Sequence, residues 1–234
     1  RLPHRLIDIL DIAEQYTVGD FARLADEACA EISSAGKLPI VSGGTGFYVR
    51  NFICGLPSAP AADPAMREGV ARDLAERGAA ALREELAALD PGSAARIHEN
   101  DLYRLTRALE ITRSTGRPMA DFAAGIAPRA RYRFAVFGIA PGSEELARRI
   151  SSRVDAMLAA GLADEVAALR AAGHGQSEPG MRAIGYREFF EAEGMVPGAR
   201  LADIAEAIKL DTRRYAKRQM TFFRKLPGIE WVSS

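Results

Sequence analysis

Leu38-Pro39-Ile40-Val41-Ser42-Gly43-Gly44-Thr45-Gly46-Phe47-Tyr48 is the stretch on which the fold turns. A short apolar run, Lys37 to Val41, ends in a glycine-rich bend, and Phe47 to Phe52 resumes with helical character. Upstream, Phe21, Leu24, Ala28 and Ile32 recur at helical spacing and predict a helix from Val18 to about Ala35, with Asp20 as N-cap and Gly36 as terminator. Helix, buried strand, glycine turn and helix in succession is the grammar of a parallel α/β sheet. Leu6–Leu10 is expected as a short strand or extended edge, Tyr132–Ile139 as a strand and Ile229–Val232 as a terminal strand.

From Pro57 the texture changes to alanine-rich helix punctuated by proline. Met66, Val70 and Leu74 mark one helix, Leu82, Leu86 and Leu89 a second, and a third starting near Asn100 turns Leu102, Leu105 and Leu109 inward until Gly116-Arg117-Pro118. Residues 1–57 and 130–234 therefore read as an α/β core and residues 58–129 as an inserted all-helical domain. Beyond it, helices are expected after Ser143, from Ala163 to about Ala172, and from Leu201 to Phe223.

The 234 residues balance 31 basic against 31 acidic side chains, so bulk charge does not mark a nucleic-acid binder and any such role rests on local clustering. No apolar run approaches the ~20 residues of a membrane-spanning helix. Cys29 and Cys54 with His4, His98 and His174 form neither a disulfide framework nor a zinc-ligand spacing, which fits a reducing, cytoplasmic setting. There is no initiator Met and no signal-peptide pattern at Arg1-Leu2-Pro3-His4-Arg5, so the chain is expected to begin inside a longer protein.

Three places carry candidate chemistry. At Gly43-Gly44-Thr45 the glycines let backbone approach a ligand, the next helix offers free amides to an anion, and Thr45 adds a hydroxyl. The alternative is a tight turn whose threonine merely caps its helix. Lys209 to Lys225 holds seven basic residues and one acidic, with Arg213 and Lys217 one turn apart and Arg214 and Arg218 on the adjacent stripe. Such ridges suit a polyphosphate or a nucleic-acid backbone, and the scarcity of acidic partners argues against a simple solvated face. In the helical insertion, Arg104 and Arg107 with Arg67 and Arg113 form a candidate clamp, and Arg182 to Arg187 couples two arginines to Tyr186 and Gly185. For these two segments a plain solvent face, or a core tyrosine with surface arginines, remains the competing reading. Asp8 and Asp11 are expected in a turn, and no G-x-x-x-x-G-K-[ST] phosphate loop occurs.

Taken together, ordered motifs along nearly the whole chain resemble the bacterial tRNA dimethylallyltransferases. They are Pro3-His4-Arg5-Leu6-Ile7-Asp8, Leu38 to Tyr48, Asp63-Pro64 with Arg67, Asp90-Pro91, and Ala95-Arg96-Ile97-His98 with Asn100-Asp101. Arg104-Leu105-Thr106-Arg107-Ala108-Leu109-Glu110, Ala183 to Arg187, Thr212-Arg213, Ala216-Lys217-Arg218-Gln219 and Phe223-Arg224 complete the set.

The resemblance implies a P-loop NTPase-like parallel sheet, incomplete at the N-terminus, with an inserted helical domain that grips the anticodon stem-loop. It implies transfer of a dimethylallyl group from dimethylallyl diphosphate to N6 of the tRNA adenosine immediately 3′ of the anticodon, by a cytoplasmic, monomeric enzyme. Flipping that base into a channel fits the general need to expose a base before chemistry on it. Thr45 and Arg213 take catalytic roles by resemblance, and Arg213, Lys217, Arg218, Gly43 and Gly44 take the diphosphate. For Lys217 and Arg218 the choice between diphosphate and tRNA stays open. Arg67, Tyr103, Arg104, Leu105, Thr106, Arg107, Arg182, Ala183, Ile184, Gly185, Tyr186 and Arg187 match tRNA-contacting positions. The family's phosphate loop and its D-S-R-Q-like segment find no match, so Mg2+ ligands are expected ahead of this chain and the polypeptide itself is expected to be inactive. No zinc is expected. The alternatives are a P-loop-type small-molecule or nucleotide kinase and a non-catalytic RNA-binding fragment.

Overall fold

The computed structural model describes residues 2–60, 63–123, 125, 127–195 and 200–232. It divides into two compact units, residues 1–53 with 129–234 and residues 54–128.

In the first unit, helix α1 (Val18–Ser34) is started by Thr17, not Asp20: the Thr17 hydroxyl accepts from the Asp20 amide while the Asp20 carboxylate accepts from the Thr17 amide, a reciprocal capping box. Gly36 follows its end at φ 69°, the left-handed position that glycine tolerates. Helix α2 (Gly46–Cys54) leaves the glycine bend and buries Phe52 against Ala25 and Cys29. Tyr132, Phe134, Phe21 and Leu6 close over this cluster, and Arg129 stacks on the Phe52 ring at 4.7 Å. The same guanidinium grips Asp26 with two hydrogen bonds of 2.8 and 2.9 Å. Asp26 also accepts from the Tyr132 hydroxyl at 3.0 Å.

The described strands are β1 (Val136–Ile139) and β2 (Ile229–Val232), which pair in parallel from Val136–Ile229 to Ile139–Val232. The expected strand from Tyr132 shortens to β1 because Tyr132 and Phe134 are drawn into the aromatic cluster. Leu6–Leu10 forms bends instead of a strand, since Leu6 (φ 60°) and Asp8 (φ 55°) occupy the left-handed region, which a β-ladder does not accommodate. The turn expected at Asp11 is present, with Glu14 N–H donating to its carbonyl at 3.0 Å. Lys37–Val41, expected as a buried strand, joins no ladder among the described residues, and it leaves Leu38 83% and Ile40 74% exposed.

Helices α6 (Ser143–Ala159), α7 (Leu162–Ala171), α8 (Arg187–Met195) and α9 (Leu201–Phe223) pack around Val154, Leu162, Val166, Phe189, Ile204 and Ile208. Helix α8 was not foreseen from the sequence. The long α9 has the bounds the apolar spacing predicts.

Among the described residues of the second unit, all regular secondary structure is helical. Helix α3 (Pro64–Leu89) is interrupted at Gly78 (φ 80°), so the two expected helices appear as two arms of one element. Asp90 ends α3 and caps the short α4 (Pro91–Arg96), accepting from Ser93 N–H and Met119 N–H, both at 2.9 Å. Helix α5 (Leu102–Thr115) buries Leu105, Ala108 and Leu109 against Val70, Leu82 and Leu86. Leu102, expected to point inward, is 42% exposed because it is the first residue of the helix, ahead of the packed stripe. Among the described residues no helix is long and apolar enough to cross a membrane.

Candidate functional site

The glycine bend lies against the C-terminal half of α9. Gln219 Nε2 donates to the Gly44 carbonyl at 2.7 Å, across 175 residues of sequence. A Cβ on Gly44 would collide with that amide, and one on Gly46 would lie 2.9 Å from Phe222 Cγ. Both positions therefore require glycine for close approach. Gly43, by contrast, has open space where a side chain would be. Thr45 is exposed, its carbonyl accepts from Tyr48 and Val49 N–H (2.9 and 3.1 Å), and its hydroxyl has no partner among the described residues. The hydroxyl is thus not spent as a helix cap.

Helix α9 brings the cations to this bend. Arg214, Lys217 and Arg218, with Lys225 just beyond the helix, line a groove of about 460 Å³ together with Thr221 and Phe222. Phe222 is the wall shared between the groove and Gly46. Arg213 stands one turn before Lys217 on the same side, half-buried, outside the groove lining. Gln219 lies six positions after Arg213, about 9 Å along the axis at 1.5 Å per residue. Among the described residues Arg213, Lys217, Arg218, Arg224 and Lys225 pair with no carboxylate; Arg218 instead lies 5.8 Å over the Tyr215 ring. Lys209 is bound by Asp155 (2.7 Å) and Glu206 (3.0 Å), and Arg214 by Asp211 (3.2 Å).

Asp211 links the basic helix to the Arg182–Arg187 segment. It accepts from Arg187 Nη2 at 2.5 Å and from Arg214 Nη1 at 3.2 Å. Burial pushes the Asp211 carboxyl up, but these two guanidinium contacts outweigh it and hold the group below its ordinary range. Arg187 also meets Glu188, which is 1% exposed and accepts from Gly185 N–H at 2.7 Å. Arg182 donates to the Ser177 carbonyl at 2.7 Å, and with Arg187, Gln176, Ser177 and Glu191 it lines a second hollow of about 530 Å³. Tyr186 does not present a free ring edge: its hydroxyl donates to Glu165 at 2.7 Å, and this bond together with burial pushes its pKa up to about 12. Gly185 is buried at φ 106°, and Ile184 packs in the α6–α9 core, so in this segment Arg182 and Ala183 are the exposed members.

In the helical unit the predicted clamp separates into different kinds of residue. Tyr103 is 79% exposed, and Arg104 is exposed with Asp101 beside it. Thr106 donates to the Tyr103 carbonyl at 3.1 Å. Leu105 is fully buried, so its side chain belongs to the core and not to a binding face. Arg107 bonds Glu110 at 2.9 Å and the Pro60 carbonyl at 2.9 Å, and Arg67 reaches the same Glu110 at 3.9 Å. Arg113 joins Asp73 and Glu85, each at 2.7 Å. These arginines are neutralised within the unit, unlike those at the end of α9.

Sequence reasoning missed Gln219 as the tie to the bend and Asp211 as the bridge between two arginine segments, whereas Arg214, already read as part of a cationic ridge, lines the groove with Lys225. Gln219 stood inside a quoted motif, but nothing in its spacing indicates a partner 175 residues away. No three His, Cys, Asp or Glu side chains among the described residues converge as metal ligands. The described residues do not by themselves compose a Mg2+ site.

The IPP transferase family model matches residues 1–226. The chain is 41% identical to the tRNA dimethylallyltransferase of Geobacter sulfurreducens, over 99% of this chain and 74% of that protein. It is 40% identical to the tRNA dimethylallyltransferase of Geobacillus kaustophilus, over 98% of this chain and 72% of that protein. Among solved structures, the full-length tRNA isopentenylpyrophosphate transferase of Bacillus halodurans superposes at TM-score 0.66 with 35% identity, over 99% of this chain and 72% of that one. A eukaryotic dimethylallyltransferase acting on tRNA superposes at TM-score 0.81 with 25% identity, over 99% of this chain and 60% of that one. The α/β class with a helical unit is the class of these neighbours. The expectation of an inactive polypeptide finds no support here, since each of these relatives aligns with 98% or more of this chain.

Proposed function

The chain belongs to the IPP transferase family, and from that premise we propose that it transfers a dimethylallyl group from dimethylallyl diphosphate to N6 of the tRNA adenosine 3′ of the anticodon. One observation carries the reading at the level of residues: an exposed, unpartnered Thr45 hydroxyl sits in a bend bonded to the helix that bears Arg213, Lys217 and Arg218, with Arg224 and Lys225 just past its end, all five without carboxylate partners among the described residues. In the reaction the N6 lone pair forms a bond to C1 of the prenyl group, the C1–O bond breaks, diphosphate departs with the electron pair, and N6 gives its proton to a carboxylate general base. Charge therefore builds on the leaving diphosphate, where preorganised cations stabilise the transition state more than the ground state.

Arg213 contacts that diphosphate, and Lys217 and Arg218 hold it in the groove with Arg214 and Lys225. The shared Phe222 wall favours this over an RNA backbone, because it sets the groove beside the bend. Gly43 and Gly44 let backbone come close, and Thr45 contacts the adenine. The exposed residues of the helical unit, Tyr103 and Arg104 above all, with Arg182 of the core, face the anticodon stem-loop. The working enzyme is a cytoplasmic monomer.

The test is transfer of labelled dimethylallyl from its diphosphate to tRNA. Thr45→Ala should lower kcat and Arg213→Ala should raise KM for the diphosphate. Lys217→Ala with Arg218→Ala should raise the same KM; a shallower salt dependence of tRNA binding with an unchanged KM would give the groove to RNA. Wild-type kinetics in all variants would undo the site. Phosphoryl transfer from ATP in place of prenyl transfer would establish the kinase alternative, and tight tRNA binding without turnover the RNA-binding one.

A further inference from the structure

Nothing local holds the Thr45 side chain. Its hydroxyl has no partner among the described residues, and its neighbours on both sides are glycines, the least restrained of backbones. What restrains the bend comes from α9. Gln219 is bonded to the Gly44 carbonyl at 2.7 Å on one side of Thr45, and the Phe222 ring fills the space a Gly46 side chain would need on the other. Gln219 and Phe222 are three residues apart and share a helix face. The bend is thus seated on the helix that carries Arg213, Lys217 and Arg218.

We propose that Gln219 is a positioning residue for Thr45: its amide, backed by the Phe222 wedge, sets the threonine hydroxyl in fixed register with the cations of its own helix. This rests on reading Thr45 as an active-site residue. The donor character of the side chain is what matters, because the Gly44 carbonyl can only accept. A carboxylate at 219 would set two acceptors against each other. A methionine would keep length and bulk without a donor, and an asparagine would keep the donor but fall one methylene short. Displacement of a reacting group by about 1 Å costs on the order of 100-fold in rate.

The experiment is steady-state dimethylallyl transfer to tRNA by the full chain carrying Gln219→Met, Gln219→Glu or Gln219→Asn, each alone and combined with Thr45→Ala, with thermal melting of every variant. The expected result is a kcat reduced about 10-fold or more in Gln219→Met and Gln219→Glu, with less loss in Gln219→Asn, at unchanged KM for tRNA and similar melting. In the Thr45→Ala background the same substitutions should cost little further, since both act on one group. Losses that multiply in the double variants, or wild-type kcat in Gln219→Met while Thr45→Ala is slow, overturn the inference alone. If Gln219→Met and Gln219→Glu fail to fold, Gln219→Asn carries the same cycle. A Thr45→Ala variant as fast as the parent, or no transfer by the unsubstituted protein, overturns the functional reading and this inference with it.

Discussion

Arg104 and Arg107 are three residues apart on α5, and the family resemblance implies a tRNA contact for both, yet the structure gives them opposite fates on substitution. The Arg107 side chain is 26% exposed, and its two hydrogen bonds of 2.9 Å end on the Glu110 carboxylate and the Pro60 carbonyl. The Glu110 side chain is 9% exposed, and with Arg107 gone its remaining cation is Arg67 at 3.9 Å. Removing one partner of a buried pair costs about 3–5 kcal/mol, because the other charge is left desolvated. Partial exposure and the residual Arg67 contact reduce this, so Arg107→Ala should destabilise the protein by about 2–3 kcal/mol. That corresponds to a melting temperature lower by about 5–10 °C. Adding Glu110→Gln should recover part of the loss by removing the stranded charge. Arg104, 72% exposed and paired with Asp101 at the helix start, should melt unchanged as Ala. If it meets a phosphate, its loss should make the plot of log K against log salt shallower by about 0.7–0.9. Circular dichroism melts and tRNA binding across a salt series give both readouts. An Arg107→Ala protein that melts normally and loses salt slope like Arg104→Ala would refute the reasoning.

The same logic extends to residues whose burial is more complete. Leu105→Ala should cost about 2–5 kcal/mol in urea unfolding while tRNA affinity per folded molecule stays constant, because the side chain is core. Asp90→Ala, which strands the Ser93 and Met119 amides, should lose about 2–3 kcal/mol and Asp90→Asn distinctly less, by the same unfolding assay. At Asp26, Asp90 and Asp211 burial raises the carboxyl but hydrogen bonds prevail and hold the folded pKa below 3.8, so stability present above that pH should be lost as pH falls through the depressed values; acid melts of Asp26→Asn should show a weaker dependence. Tyr186, at about 12 in the fold, contributes stability below the ordinary tyrosine value of 10.0 that is lost as pH rises through 12; burial also raises Tyr16, Tyr48 and Tyr132, so ultraviolet titration should show several late phenolates and one fewer in Tyr186→Phe.

What the sequence discloses follows the range of the interactions involved. Helix bonds are local, so α9 appears with its predicted bounds and α1 differs only in which residue caps it, Thr17 reaching three residues ahead to Asp20. Strand identity is settled by partners. Lys37–Val41 has the apolar composition of a buried strand, but among the described residues no neighbour supplies its ladder, and Leu38 and Ile40 stand in solvent. Tyr132 and Phe134 likewise have strand-like chemistry, but the ring of Phe52 and the guanidinium of Arg129 claim them first.

Charge obeys the same division. The excess of cations from Lys209 to Lys225 is legible because acidic residues are scarce there, and the structure leaves five of the seven without a carboxylate. In the helical unit Glu110 meets Arg107 three residues along the same helix, a pairing the spacing allows, whereas only tertiary contact brings Asp73 and Glu85 to Arg113. A cation already matched inside its own unit gains little from a phosphate, since it must give up one carboxylate to take another anion. An unmatched one has only water to lose. The last turns of α9 therefore hold the strongest anion-binding capacity of the described cations, and the glycine bend beside them is where that capacity meets a hydroxyl still free to touch a substrate.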